Sequence, residues 1–600
     1  MANYLAVVDP NPERRSHFIR TVTPLLPPMP GLVSYACGAA DFAAVWAVNP
    51  MAPISYDSEG EGAAIVLGEA IATVGTTRLT AATLRQTWQA NDYQSIPAFD
   101  GFHVAIAYHP ERGLVVGADV LGFFPVYYYQ RGDVLLVASS PELFRYHPCF
   151  EASFNPTGLV GILLTNGLVE GQTLWANVYR LGQGNLLVYA LGQAATEVTQ
   201  YSIPEDLPTD KYRQMPVGEQ IEAMGHALSQ AVSRHTTPSE THVLMLSGGL
   251  DSRLLAGLLR RQQVDTVAVT FGQRSDLEMQ CATQVARALQ LPHHTEQVQF
   301  EHYAELAKTR AQWEHLANGF SIVFDSAHGN LHRLGSRVVT GFVLDVIMGK
   351  AQGYRLFGAG GSFDAFFKDA VNDTALSPAL LQRLLRSEVF GDRVSETIER
   401  MRSRYQNYSP IESRRGLQFK LSSRQRFHIG SGAWRLSFMA WPSLPVLDRQ
   451  FIETMLAMPA ETLDGRRAQK MLLCRDFPEL AQLPLDRNSN DTTPLQPTPM
   501  RQRLAPLYTM QRRWRGVQRR LGYERRYYYR VLDINNPGWR AIRRQAEPHR
   551  DRLHDLFHPE ALNQLLPSPD QTWIYQKDAI LESASLKTLL GLLLWSADHL

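Results

Sequence analysis

From Val243 to Leu246 the chain is wholly apolar, and the next residues are Ser247-Gly248-Gly249-Leu250-Asp251-Ser252. A short apolar run of this kind reads as a strand buried on both faces. Helical spacing follows over 254–262, so Ser247 to Ser252 form a strand-to-helix turn. The backbone N–H groups of such a turn point outward without partners and, with the helix dipole, make a site for phosphate oxygens. Gly248 and Gly249 allow the backbone to approach an anion closely. Ser247 and Ser252 can add hydroxyl donors, and Leu250 lies within the same loop. Asp251 would repel phosphate, so it is read as a ligand for a Mg²⁺ that bridges two phosphates. The Gly-Lys-Ser/Thr ending of a Walker loop is missing.

The elements that must hold this turn alternate. After the strand at 243–246 and its helix come a second buried strand at 264–271 and a helix over 278–289, with a helix over 218–234 before them. Strand, helix, strand, helix at this spacing predicts a doubly wound α/β domain, bounded here as 206–490. The first two hundred residues read as strands and turns: 4–8, 101–108, 114–118, 125–129 and 134–138, with turns at 110–113 and 131–133. They predict an antiparallel layered domain, 1–205, followed by a linker at 199–208. Beyond Asn488 the chain turns polar, with Pro494, Pro497 and Pro499. Residues 491–600 read as an arginine- and aromatic-rich helical extension that packs its aromatics, exposes its arginines and closes on an amphipathic helix over 581–594.

Six hundred residues exceed a single core. The hydrophobic fraction of 44%, the charged fraction of 20% and the net charge of +1 are ordinary values. They predict a folded chain with no general affinity for nucleic acid or membrane. The four cysteines, Cys37, Cys149, Cys281 and Cys474, form no metal-type or disulfide pattern. The start of the chain does not read as a secretory signal. The longest apolar stretch, 589–595, is far short of a bilayer span. A cytoplasmic protein is the expectation.

Ser-Gly-Gly-x-Asp-Ser resembles the PP-loop of enzymes that split ATP into AMP and pyrophosphate. Further segments resemble the glutamine-hydrolysing asparagine synthetase family. Thr340-Gly341-Phe342-Val343-Leu344-Asp345 is similar to that family's Ser-Gly-Glu-Gly-x-Asp. Pro445-Val446-Leu447-Asp448 with Phe451, Met458-Pro459 and Lys470 is similar to its C-terminal signature. The resemblance implies that Gly341 lies near the adenylate, that Asp345 joins Asp251 on Mg²⁺, and that Lys470 sits beside the α-phosphate. It also implies that Phe271-Gly272 holds the adenine. In the first half, Asp100-Gly101-Phe102, Asp119 to Gly122, Pro125 to Tyr128 and Ala138 to Glu142 resemble the family's glutaminase domain, which implies an Ntn-hydrolase-like αββα fold. The catalytic set implied is Lys470, Asp251 and Asp345, with ATP and Mg²⁺ as cofactors.

Three departures shape the expected function. Glutamine-using members begin with a nucleophilic Cys, whereas Met1 is followed here by Ala2. Phe342 stands where asparagine synthetases have Glu and β-lactam synthetases Tyr, and it can neither take a proton nor donate a hydrogen bond. With Val343 and Leu344 it is expected to make an apolar wall. Arg253 is expected either to pair with phosphate or to lie on the surface of the first helical turn. The pattern resembles relatives that close an amide within one molecule, the β-lactam synthetases and lasso-peptide cyclases. The expected function is therefore an AMP-forming amide ligase acting on a small-molecule or peptide carboxylate, with a peptide-carrying protein as a candidate partner. The alternatives are an ammonia-dependent asparagine synthetase and an ATP-binding scaffold. Arg424, Arg426 and His428 are candidates for the acceptor pocket. His293-His294, whose side chains diverge on a strand, are not read as a metal site.

Overall fold

The computed structural model describes residues 3–90, 93–96, 98–322, 330–350, 362–487, 489–575 and 579–600. Met1 and Ala2 lie outside the described residues, as does Asn488.

The first half contains two six-stranded antiparallel sheets. In the first, Asn3–Val8 lies between Phe42–Val48 and Val134–Ala138. In the second, His103–His109 lies between Ala63–Gly68 and Gly113–Ala118. Side-chain alternation sorts each strand between two cores. Tyr4, Ala6 and Val8 face Ile65, Leu67 and Val104 between the sheets. Leu5 and Val7 face outward onto Phe18, Val22 and Leu159 of the helices Pro12–Val22 and Pro156–Thr165. On the far side Val66, Ala107 and Val115 pack on Leu84 and Trp88 of the helix Ala81–Ala90. The layers therefore run helix, sheet, sheet, helix, the αββα arrangement.

The sequence reading missed those helices for two reasons. Pro12–Val22 is capped by Asn11, whose Oδ1 accepts from Arg14 N at 2.9 Å, but it buries only Phe18 and Val22. Pro156–Thr165 is apolar all round, so it shows no period.

The second unit is built on a five-stranded sheet whose pairings are all parallel. Its spatial order is His293–Glu296, Thr266–Phe271, His242–Met245, Arg337–Val339, Trp441–Ser443. The chain runs outward from His242–Met245 in one direction, then returns to add Arg337–Val339 on the other side. The strand order thus reverses between these two neighbours, and a crevice opens at their carboxyl ends.

Buried charge joins the units. Asp100, fully buried, accepts from Arg234 at 2.8 Å and from Arg449 Nε at 2.9 Å, and Trp441 Nε1 donates to Phe102 O at 3.1 Å. Arg426 is buried on Gly122 O, at 3.2 Å, and Leu181 O. Its hydrogen bonds place it in this junction.

The last segment divides near Tyr523. The helix Ala505–Arg520 buries no residue and leaves Leu507, Met510, Trp514, Val517 and Leu521 exposed along one stripe. Tyr527 and Trp539, by contrast, are buried. The closing helix, Ala579–His599, is not amphipathic but apolar around its circumference, because other helices enclose it. Its stretch Ile580–His599 is long and apolar enough to cross a membrane by composition, yet 72% of that window is buried within the protein. The helix ends on a cluster of Glu142, His315 and His599. Both histidines meet Glu142 Oε2 through Nε2, at 3.1 and 2.8 Å. Trp595 Nε1–H donates to His315 Nδ1 at 3.2 Å, which places the His315 proton on Nε2. That nitrogen then donates to Glu142 and has no lone pair for a metal, so the cluster fastens the helix to the first domain.

Candidate active site

The turn Ser247 to Ser252 leaves His242–Met245 at the reversal point, and the helix Leu250–Arg261 starts inside it. The N–H groups of Leu250 and Asp251, at the first helical positions, have no intrahelical acceptor. Hydroxyls shape the loop from within: Ser247 N donates to Ser252 Oγ at 3.0 Å, the two hydroxyls lie 2.9 Å apart, and Gly249 N donates to Ser247 Oγ at 3.2 Å. A Cβ on Gly248 would lie 2.6 Å from Cys281 Cβ and 2.8 Å from Asp486 Cβ. Gly248 therefore supports the loop from beneath.

The neighbouring strand delivers Thr340, Gly341 and Phe342 across the crevice. Gly341 is pressed against Asp251, since a Cβ there would lie 2.8 Å from Asp251 Cβ. Between the two strand ends is a cavity of about 560 Å³. Its walls include Ser247, Gly249, Leu250, Asp251, Ser252, Phe271, Gly341, Phe342 and Lys470. Gly272 lies beside it with φ +127° and turns the strand end toward Asp276, whose Oδ2 accepts from Gln273 N at 2.6 Å.

Asp251 Oδ1 accepts from Arg466 Nη2 at 2.5 Å and from Gln469 Nε2 at 2.8 Å. Burial pushes its carboxyl above the usual range; Arg466 opposes that shift, and the nearby Asp345 adds to it. No bond to Asp251 Oδ2 is present among the described residues. A pair of crowded carboxylates beside a phosphate-type loop is a hard-oxygen donor set that fits Mg²⁺. Asp345 itself stands behind the cavity wall, with Oδ1 accepting from Val346 N at 2.9 Å. Lys470 Nζ donates to Gly465 O at 2.8 Å, and burial, Arg487 and Arg466 lower its pKa.

Two expectations change. Arg253 neither reaches the cavity nor lies on the surface. It is fully buried and donates to Leu480 O at 2.9 Å, Leu483 O at 3.1 Å and Pro484 O. Its guanidinium holds the 480–484 turn behind the loop, because that turn's carbonyls have no strand to pair with. Val343 and Leu344 do not line the cavity either. They are buried in the core, Val343 with φ +64°, a strained value for a β-branched residue. Only Phe342 of the three faces the cavity.

The sequence reading missed Arg466, Arg487, Glu278, Asp486, Tyr527 and Tyr528, all of which line the same cavity. Arg466 sits at φ +62° after Gly465 at φ +63°, a turn that aims its side chain at Asp251. The Asp464-Gly465-Arg466 turn shortly before Lys470 was the available signal. Glu278 accepts from Tyr527 N at 3.1 Å and Tyr528 N at 3.4 Å, which seats the C-terminal segment on the start of the helix Leu277–Ala288 at the cavity wall.

Burial and the neighbouring Asp486 push Glu278 up to about 7. A carboxyl that binds its proton more tightly when folded stabilises fully at low pH, and stability then falls as pH rises from about 4.5 to about 7. The loss is of order 3 kcal/mol. Glu278→Gln is expected to remove this slope. Chemical denaturation should find the variant matching the parent at pH 5 and exceeding it at pH 8; equal stability at both pH values would refute the assignment.

Fold and site together define a doubly wound α/β domain with a phosphate-type loop at its topological reversal. Residues 223–339 match the asparagine synthase family. A curated relative, the carboxyethyl-arginine beta-lactam-synthase of Streptomyces clavuligerus, is 31% identical over 116 residues, 19% of this chain. The match spans 22% of that relative's length. Among solved structures, the glutamine phosphoribosylpyrophosphate amidotransferase from B. subtilis is 10% identical, with a TM-score of 0.23 over 49% of this chain and 65% of its own. NMN synthetase from Francisella tularensis is 18% identical, with a TM-score of 0.18 over 36% of this chain and 96% of its own.

Proposed function

We propose that the chain is an ATP-dependent, AMP-forming amide ligase that activates a carboxylate and passes the acyl group to an amine. The observation that carries this reading is the convergence of the Ser247–Ser252 loop, Asp251 included, and Lys470 on one cavity, with Asp345 behind its wall and close enough to raise the Asp251 carboxyl. Asp251 and Asp345 would hold Mg²⁺, which when bound neutralises phosphate charge. The loop N–H groups bind the phosphates, and Lys470 and Arg487 place positive charge where pyrophosphate departs. The carboxylate oxygen attacks the α-phosphorus and the bond to pyrophosphate breaks. The amine nitrogen then attacks the acyl carbon, and AMP leaves. Phe342 supplies no base, so the amine proton passes to a phosphate oxygen or to water. Phe342 and Tyr528 screen the reacting group from solvent.

The domain match and the β-lactam synthase relative support a carbon–nitrogen ligase. The apolar Phe342 favours a substrate that carries its own amine, as in a lactam synthetase or peptide macrocyclase.

The test is pyrophosphate release from Mg-ATP with aspartate plus ammonia, with aspartate plus glutamine, and with peptides bearing both an amine and a side-chain carboxylate. Release with the peptides alone supports the intramolecular reading. Asparagine formed from ammonia would replace that reading with an asparagine synthetase. ATP binding with no release under any condition would leave a scaffold.

A further inference from the structure

The helix Ala505–Arg520, which buries no residue, lies outside the 223–339 family match and adds no residue to the wall of the loop cavity. Its apolar residues are spaced as a seam. Leu507, Trp514 and Leu521 recur every seven residues, and Met510 and Val517 follow the first two of them by three. At about 100° per residue these five fall within an arc of roughly 80°. That is narrower than the stripe with which a surface helix meets a core, and it has the width of a coiled-coil seam. The seam is open to solvent, with Met510 65% and Trp514 59% exposed.

The charged face of this helix is the one turned to the protein. Arg515 Nη1 donates to Asn490 O and Thr492 Oγ1, both at 3.4 Å, and Arg512 pairs with Asp491 at 3.5 Å. A Cβ on Gly516 would lie 4.0 Å from Asn490 Nδ2. Arg512, Arg515 and Gly516 lie on the side of the helix away from the seam. The segment 490–492 thus sets the rotation of the helix and leaves the seam pointing outward. With Leu507, Trp514 and Leu521 at heptad position a and Met510 and Val517 at d, both g positions are arginines, Arg513 and Arg520, and both e positions are glutamines, Gln511 and Gln518. The two g arginines are exposed and form no ion pair among the described residues. The helix holds no aspartate or glutamate that could neutralise them.

We propose that this seam docks an acidic amphipathic helix of another protein, with Trp514 as the central anchor and Arg513 and Arg520 paired to carboxylates beside the partner's apolar residues. The charge pattern selects this occupant. A second copy of the chain packed antiparallel sets g against g, arginine against arginine; packed parallel, it sets Arg513 and Arg520 against glutamines and leaves them unpaired. An anionic membrane surface is met by a broad apolar face with cations along its polar side. Here the seam is narrow, one edge is neutral, and Arg512 and Arg515 are engaged by the 490–492 segment. A partner helix with carboxylates facing the g positions covers the apolar seam and neutralises its cationic edge together. Tryptophan at the centre of a desolvated seam is a residue type that dominates interface energetics, and Met510 adapts its shape to the partner. The docking requires nothing of the cavity chemistry proposed above.

The experiment is fluorescence anisotropy of two labelled synthetic helices, each about three heptads long, titrated with the full chain. One carries leucine at a and d with glutamate at e and g; the other has lysine in place of glutamate. The glutamate peptide is expected to bind roughly tenfold tighter or more, with a preference that shrinks as salt is raised. Trp514→Ala should weaken its binding about tenfold, and the double variant Arg513→Glu with Arg520→Glu should reverse the preference. All three residues are exposed, so circular dichroism is expected to match the parent. Pyrophosphate release by Trp514→Ala should also match, which separates this docking from the ligase reading. No binding of the glutamate peptide, equal binding of both peptides, or an unchanged preference in the double variant would overturn the proposal. A dimer in sedimentation velocity that Trp514→Ala dissociates, without peptide selectivity, would overturn it in favour of a second copy. Binding to phosphatidylglycerol vesicles that Trp514→Ala abolishes, without peptide selectivity, would overturn it in favour of a membrane. The parent's own peptide selectivity decides the matter if a variant does not fold.

Discussion

Asp251→Asn is expected to lower pyrophosphate release by about a thousandfold, roughly 4 kcal/mol of transition-state stabilisation. The substitution is isosteric, and Oδ1 still accepts from Arg466 or Gln469, so the helix Leu250–Arg261 keeps its start. What disappears is one of two carboxylate charges in a confined space. With it goes the upward push on the Asp251 carboxyl, which arises first from burial and in part from Asp345. The loss should fall on kcat and on the metal concentration needed for half-maximal rate, while binding of ATP without metal changes little. Thermal melting within a few degrees of the parent would show that the fold is intact. A variant that kept full turnover would remove the loop from the chemistry.

Lys470→Met is the second large effect, expected to cost a hundred- to thousandfold in kcat. Lys470 stands on the helix Arg467–Asp476, and among the described residues its ammonium is tethered to Gly465 O alone, at 2.8 Å, so phosphate can draw it into the cavity. Methionine keeps the stem and removes the charge. Burial, Arg487 and Arg466 hold the Lys470 pKa below its ordinary value, so its charge is lost earlier than usual as pH rises. The parent's rate should therefore fall on the alkaline side, and Lys470→Arg, always charged, should move that fall to higher pH while restoring part of the rate. A pH profile identical in Lys470→Arg and the parent would rule out this role.

The first prediction was accessible because the loop is a local feature, whereas Lys470 came only from the resemblance of its segment to a family signature. Strand, glycine turn, acid and helix lie within 243–262, and steric and dipolar rules act over that distance. The parallel strands at 242–245 and 266–271 were equally legible, since burial on both faces leaves an unbroken apolar run. Val33–Ala39, at the edge of the first sheet, was not legible, because it is largely open to solvent and shows no continuous apolar face.

The sequence by itself determined the glycine-rich strand-to-helix turn and the α/β alternation around it, while the weight on Phe342 came from the resemblance of its segment to a family motif. The rest was decided by tertiary structure, because the partners come from distant segments with no shared local period. Arg466 reaches Asp251 from 215 residues away. Glu278 anchors the N–H groups of Tyr527 and Tyr528 from about 250 residues away. Arg253, next to the loop in sequence, turns instead into the core to satisfy the carbonyls of 480–484.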